Sequence, residues 1–260
     1  MLQAIDSTHD RQFIAEELAS SATLVAELAQ PEVKNILLAA SGSVATIKIP
    51  EIIKSLSRHH PKIRIRVILT QSAKHFLGGQ SKEQPVYSSL LDYPHVEAVY
   101  DDADEWGPEP WRRGASILHI ELRRWADILV VAPLSANTLA KIVNGLSDNL
   151  LTSVIRAWDT DSSIDNKKKV IVVAPAMNSA MWRHPITAKQ IRVLQEEWGV
   201  RDPEPSEGDT AGVAVANGWF QVIMPIAKTL ACGDTGDGAM ATVDTICEAI
   251  ESRLGLLESA

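Results

Sequence analysis

The chain has 260 residues, 45% of them hydrophobic, enough for one large globular core or two small ones. Acidic side chains outnumber basic ones 33 to 25, and the net charge of −8 excludes a fold-wide basic face for nucleic acid or anionic membrane. Two cysteines, Cys232 and Cys247, are too few for a disulfide framework or a four-cysteine zinc site, so no metal centre is expected.

The opening MLQAIDSTHD lacks the basic and apolar regions of a secretory leader, and no apolar run reaches the ~18 residues of a membrane helix. A cytoplasmic protein is therefore expected. From Gln12 to Gln30, Phe13, Ile14, Leu18, Leu24, Val25 and Leu28 fall on one helical face, which predicts a helical N-terminal extension over residues 1–32. The main domain then spans 33–260. Asn35 to Ala40 reads as a buried strand, followed by the small-residue turn Ser41-Gly42-Ser43 and a helix over Ala45–Arg58. Arg64 to Leu69 predicts a second strand, closed by Thr70-Gln71-Ser72 and a short helix through Phe76. Residues 78–114 read as loops with at most one strand, near Val96–Tyr100.

A helix is expected from His119 to Ala126, then the strand Ile128–Ala132 and the turn Pro133–Thr138. Helical periodicity follows to Asn144 and again over Asp148–Trp158. Lys169–Ala174 predicts another strand, closed by Pro175–Asn178, with a helix over Pro185–Trp198 and a last one over Val243–Leu254. Near-continuous apolar strands separated by helices point to a parallel sheet buried on both faces. The expected fold is α/β, a doubly wound parallel sheet of Rossmann-like or flavodoxin-like type in a single domain. Ligands of such sheets bind beyond the carboxyl ends of the strands, where the turns at Ser41–Val44, Thr70–Ser72 and Pro133–Thr138 all lie. Each feeds a helix, and helix-start amides with hydroxyls suit a phosphate. Any one such turn is as readily a plain helix cap. Three in register at one sheet edge favour a phosphate-bearing ligand, and the missing G-x-G-x-x-G and P-loop patterns favour a cofactor other than NAD or ATP.

Four segments are more specific: Pro175-Ala-Met-Asn-Ser-Ala-Met-Trp182, Leu118-His-Ile-Glu-Leu-Arg-Arg-Trp-Ala-Asp127, Pro133-Leu-Ser-Ala-Asn-Thr138 and Leu230-Ala-Cys-Gly-Asp-Thr-Gly-Asp-Gly-Ala-Met240. With them the chain resembles the homo-oligomeric flavin-containing cysteine decarboxylases, and within them the eukaryotic phosphopantothenoylcysteine decarboxylase branch, from about Lys34 to Leu254. The resemblance implies FMN bound between subunits of a homotrimer. Gly42, Ser43 and Val44 would lie along the flavin. Thr70, Ser72, Ser135, Ala136, Asn137 and Thr138 would hold its phosphate, and Phe76 and Ala176 would border the ring. The implied reaction converts 4'-phosphopantothenoylcysteine to 4'-phosphopantetheine in coenzyme A biosynthesis.

Losing CO2 from a saturated cysteine carboxylate leaves an unstabilised carbanion, so the carbon needs an electron sink. Two-electron oxidation to a thioaldehyde provides one, and decarboxylation then gives an enethiolate with its charge on sulfur. In that scheme His119 positions the substrate or moves a proton. Asn178 binds the carboxylate and Arg124 a phosphate or carboxylate. Cys232 protonates the enethiolate from a glycine-rich flap, Gly233 to Met240. Met181, Thr229, Ala231 and Met240 complete the implied substrate contacts.

Plainer readings compete. A helix-start histidine is ordinarily structural, Asn178 could only cap a turn, and Arg123 with Arg124 could be a solvated pair. Cys247 shares an apolar helical face with Ile246 and Ile250 and reads as core. His59, His60, His95 and His184 show no metal spacing and read as surface. Residues 202–218 look like an insertion, acidic over Asp202–Asp209. Gly212–Ala216, Asn217-Gly218 and Trp219–Met224 predict a hairpin leading to the Cys232 flap. The resemblance also implies an alternative function, since some similar fungal proteins of the halotolerance type act as inhibitory subunits of a protein phosphatase. His119, Asn178 and Cys232 in one polypeptide, with no long acidic tail after the last helix, favour a self-sufficient enzyme.

Overall fold

Strand β1 (Lys34–Ala40) is buried along all but its first residue, as a run with apolar side chains on both faces requires. In the computed structural model, which describes residues 33–106, 110–201, 218–229 and 235–257, the predicted strand and helix alternation is present throughout. The expected extension over 1–32, residues 202–217 of the insertion, and Ala231 and Cys232 lie outside the described residues.

A 3-10 turn, Val44–Lys48, leads into α1 (Ile49–His59). One continuous helix was expected there. Pro50 lies in the first turn of α1, where a missing N–H costs nothing, and so marks the start of the regular helix. Then come β2 (Ile63–Leu69), α2 (Gln71–Lys74), a small hairpin of β3 (Gly78–Ser81) and β4 (Gln84–Val86), β5 (Val96–Tyr100) and α3 (Asp102–Glu105). After α4 (Leu118–Trp125) follow β6 (Ile128–Leu134), α5 (Ala136–Val143), α6 (Leu150–Arg156) and β7 (Val170–Pro175). The chain continues through α7 (Ser179–Arg183), α8 (Pro185–Arg192) with a wider π turn over Val193–Glu197, β8 (Phe220–Val222), β9 (Ile226–Thr229), β10 (Thr235–Ala239) and α9 (Val243–Leu254).

The central sheet has the order β5-β2-β1-β6-β7-β8. β1 runs parallel to β6, β2 to β5, β6 to β7, and β7 to β8, with Leu37 opposite Leu129 and Ile171 opposite Phe220. This is the doubly wound Rossmann-like order, which reverses direction between β1 and β6. The centre of Trp219–Met224, expected as one arm of a hairpin, forms β8, which pairs parallel with β7 at the end of the sheet among the described residues. Gly212–Ala216, the other expected arm, falls outside the described residues. β9 and β10 form a separate antiparallel pair.

Each face of the sheet has its own core. On one, Ile36, Leu38, Val130 and Val172 meet α1 and α9. Ile49, Ile52, Ile53 and Leu56 of α1 follow helical spacing and are all fully buried, at roughly 1.5–3 kcal/mol per side chain. Cys247 of α9 is buried there, as expected. On the other face, Leu37, Leu129 and Val173 meet Leu122 and Trp125 of α4, Leu139 of α5, Leu151 of α6 and Ile191 of α8. His60 departs from its expected surface place: its Nε2 lies 2.8 Å from Glu251 Oε1, joining the end of α1 to α9. His184 caps α8 by accepting from the Ile186 amide.

Candidate functional site

The reversal between β1 and β6 leaves a crevice beyond their carboxyl ends, and a cavity of about 1280 Å³ opens there. Four turns build its floor. At the end of β1, Ser41 is fully buried, and its hydroxyl donates to the Pro133 carbonyl (3.0 Å) and accepts from the Ser135 amide (2.8 Å). The turn after β1 is thereby tied to the turn after β6. Ser43 caps the 3-10 turn through the Ala45 amide.

Thr70 ends β2, receives the backbone of Ala40 as acceptor for its own amide, and caps α2 through the Ala73 amide. Gly42 and Ser72 meet where these two turns touch: a Cβ on Gly42 would stand 2.5 Å from the Ser72 Cβ, so only glycine fits. After β6, Ser135 caps α5 by accepting from the Thr138 amide, and its hydroxyl lies 3.2 Å from that of Thr138. Both hydroxyls are buried at the base of the cavity. The fourth turn follows β7. Ala176 donates its amide to the Leu134 carbonyl, and Met177 donates to the Gly238 carbonyl, which draws β10 against this turn. A Cβ at Gly238 would meet the Met177 carbonyl oxygen at 2.2 Å, so glycine permits that approach.

All eleven residues expected along a flavin line this one cavity: Gly42, Ser43 and Val44 from the first turn, Thr70, Ser72 and Phe76 from the second, Ser135 to Thr138 from the third, and Ala176 from the fourth. Asn178, Met181 and Met240 line it too. Asn178 is also the N-cap of α7: its Oδ1 accepts from the Met181 amide at 2.8 Å, which leaves the Nδ2 donor for a ligand. The plain capping reading and the binding reading therefore hold different atoms of one side chain. Lys48 and Lys141 add positive charge at the rim, tethered to Glu51 (2.7 Å) and Asp148 (2.7 Å). The Lys141 ammonium holds the Asp148 carboxyl below the usual carboxylate range.

Arg124 and His119 do not line the cavity. Arg124 is 55% exposed and pairs with Glu121 one turn back, because Arg123 takes the inward position and meets Asp165 at 2.9 Å. His119 stands in the first turn of α4 and does not line the cavity. A helix leading into a parallel strand runs opposite to it, so the start of α4 still lies at the carboxyl edge of the sheet. Its Nδ1 lies 2.5 Å from Glu105 Oε1, a partner that sequence reading missed. Thr229 contributes backbone to β9, opposite Thr235. Among the described residues no cluster of His, Cys, Asp and Glu could hold a metal ion, and no helix is long and apolar enough to cross a membrane.

Comparison with known proteins gives the same direction. A family model described as Flavoprotein matches residues 25–255. Phosphopantothenoylcysteine decarboxylase of Mus musculus is 40% identical over 220 residues, 84% of this chain and 86% of that one. The Arabidopsis thaliana protein of the same name is 42% identical over 212 residues, 81% of this chain and 80% of its own. Among solved structures, a cysteine-to-serine mutant of PPC decarboxylase complexed with pantothenoylaminoethenethiol superposes with a TM-score of 0.65 at 38% identity, covering 86% of this chain and 99% of that one. The FMN binding protein AtHal3 gives 0.63 at 40% identity, covering 86% and 98%. By its match to the family model and its likeness to these relatives over most of their length, the chain belongs to the flavoprotein family, in its phosphopantothenoylcysteine decarboxylase group.

Proposed function

We propose that this chain is a carboxy-lyase of coenzyme A biosynthesis that binds FMN and converts 4'-phosphopantothenoylcysteine to 4'-phosphopantetheine. The observation that carries the reading is the convergence of four turns, with buried Thr70, Ser135 and Thr138, on one cavity at the β1–β6 reversal. The fit to FMN is chemical. First-turn amides of α2 and α5 lack intrahelical acceptors, hydroxyls stand beside them, and apolar Val44, Phe76 and Ala176 offer surface to a ring. Bound FMN supplies a reversible two-electron acceptor, so that the overall decarboxylation has no net redox change.

The remaining work falls to the protein. Thr70, Ser72 and the Ser135–Thr138 turn hold the phosphate. Asn178 Nδ2 donates to the substrate carboxylate without adding a charge that over-stabilises the ground state. Cys232 returns a proton to the enethiolate, and His119 exchanges the thiol proton. Because His119 does not line its own chain's cavity, we assign it to the cavity of a neighbouring copy, within a homotrimer. Arg124, exposed on the same helix, accompanies it across that interface. Thr229, Ala231 and Met240 are assigned to the substrate side. A cytoplasmic location suits such a metabolic step. The enzymatic reading is taken over a protein-phosphatase inhibitory subunit because an inhibitory surface has no need of this cavity.

Purified protein should be yellow, run as a trimer by light scattering, and release CO2 from phosphopantothenoylcysteine. A colourless protein refutes the cofactor, and a monomer refutes the shared site. Cys232→Ser should still release CO2 and accumulate a product two hydrogens lighter than phosphopantetheine; normal product from that variant removes Cys232 as proton donor. The enethiol complexed with the cysteine-to-serine PPC decarboxylase supports this expectation.

A further inference from the structure

Glu105 ends the short helix α3, and its side chain is 95% buried by the surrounding protein, only 5% remaining exposed. Asp101 fixes the start of α3 by a capping box with Asp104 and is itself paired with Lys74. Asp102 Oδ1 accepts from the Leu150 amide at 3.1 Å, which anchors α3 to the first turn of α6. Three separate contacts thus hold a one-turn helix in place, and its last residue reaches the His119 ring.

Glu105 Oε1 takes the imidazole Nδ1 as partner, while Oε2 is buried with no hydrogen-bond partner. A buried carboxylate oxygen without a donor is expensive, so the remaining bond to the ring carries the full demand of the charge. An ionised carboxylate only accepts, which requires the proton on Nδ1 and leaves the lone pair on Nε2. Among the described residues nothing bonds Nε2. His119 sits in the first turn of α4, so its backbone is fixed by the helix start while Glu105 fixes the ring.

We propose that Glu105 is the positioning residue of His119, fixing its Nδ1–H tautomer so that Nε2 exchanges the substrate proton. The inference rests on the decarboxylase reading for its catalytic consequence, but not for the tautomer itself. Other charges near the ring are already engaged or distant along the helix. Asp102 and Asp104 of α3 accept backbone amides. On α4, Glu121 binds Arg124 and Arg123 binds Asp165. Arg66 of β2 stacks over Trp125 at the far end, and α6 carries its one basic residue, Arg156, in its last turn.

The experiment uses the FMN-loaded protein. Proton–nitrogen NMR of the wild type at alkaline pH should show His119 protonated at Nδ1 and bare at Nε2; the opposite tautomer overturns the proposal without any variant. Glu105→Gln keeps shape and acceptor but removes the charge. It should lower kcat roughly ten- to a hundredfold, leave KM and flavin content near wild type, and lose the single Nδ1–H tautomer in the same spectrum. His119→Asn separates the two readings. If it retains turnover, the catalytic role of His119 itself falls. If it is inactive while Glu105→Gln matches wild type in kcat and in tautomer, only the Glu105 proposal falls.

Discussion

Replacing Gly42 with alanine tests the closeness of the first two turns. The added Cβ would lie 2.5 Å from the Ser72 Cβ and 3.4 Å from its hydroxyl oxygen. Non-bonded carbons rest about 3.5–4.0 Å apart, so the turns must separate by about 1–1.5 Å. Neither turn yields easily, because Thr70 is fixed to the Ala40 carbonyl and Ser41 to Pro133 and Ser135. Overpacking of this kind costs about 1–3 kcal/mol, which for a domain of this size lowers the melting temperature by about 2–12 °C. The assay is thermal unfolding of flavin-free protein, with flavin affinity measured separately. Ser72→Gly in the same chain removes the opposing carbon and should restore much of the lost melting temperature. If Gly42→Ala melts with wild type, or the double variant melts no higher than the single, the close approach is not what demands glycine.

The acid response of the Lys74–Asp101 pair and the reactivity of Cys247 are equally open to measurement. Lys74 holds the Asp101 carboxyl below its ordinary value of 3.8, so the pair stabilises above that pH and loses its contribution as pH falls through the lower folded value. Asp101→Asn should therefore cost stability near neutrality, and the gap to wild type should close under acid denaturation; a constant gap contradicts the ion pair. Burial pushes the Cys247 thiol up to about 11, so at pH 8 a thiol reagent should modify it only on unfolding. Labelling of Cys247 in folded protein at the rate of a free thiol would contradict its place in the core.

The sheet was readable because its strands bury both faces, so Ile36–Ala40, Ile128–Leu134 and Val170–Pro175 are apolar without a break. The β3–β4 hairpin gives no such signal: Gly78–Ser81 is exposed throughout, and only backbone bonding defines it. Helix α7 is one turn long and its cap, Asn178, reads equally as a loop residue. The cofactor turns were legible as Ser, Thr and Asn before helices, which is also how ordinary caps look; their meeting at one cavity is a tertiary fact. Arg123 and Arg124 could not be told apart in sequence, since only packing of Leu122 and Trp125 decides which arginine turns inward. Glu105 lay within an acidic run that read as loop. The Asp101–Asp104 spacing of a capping box was the one available sign of a helix there.

The Ser41 hydroxyl makes one seam out of two turns that are ninety-odd residues apart in the chain. A ligand that bridges them meets a cradle whose parts already share a fixed spacing. Most of the cost of occupation then falls on stripping water from buried hydroxyls and little on ordering backbone. Such a cradle discriminates by distance: a ligand whose phosphate and ring are spaced differently cannot recruit the turns one at a time. Strain introduced on either side of the seam is transmitted to the other, so substitutions at Ser43 and at Asn137 should not be energetically independent.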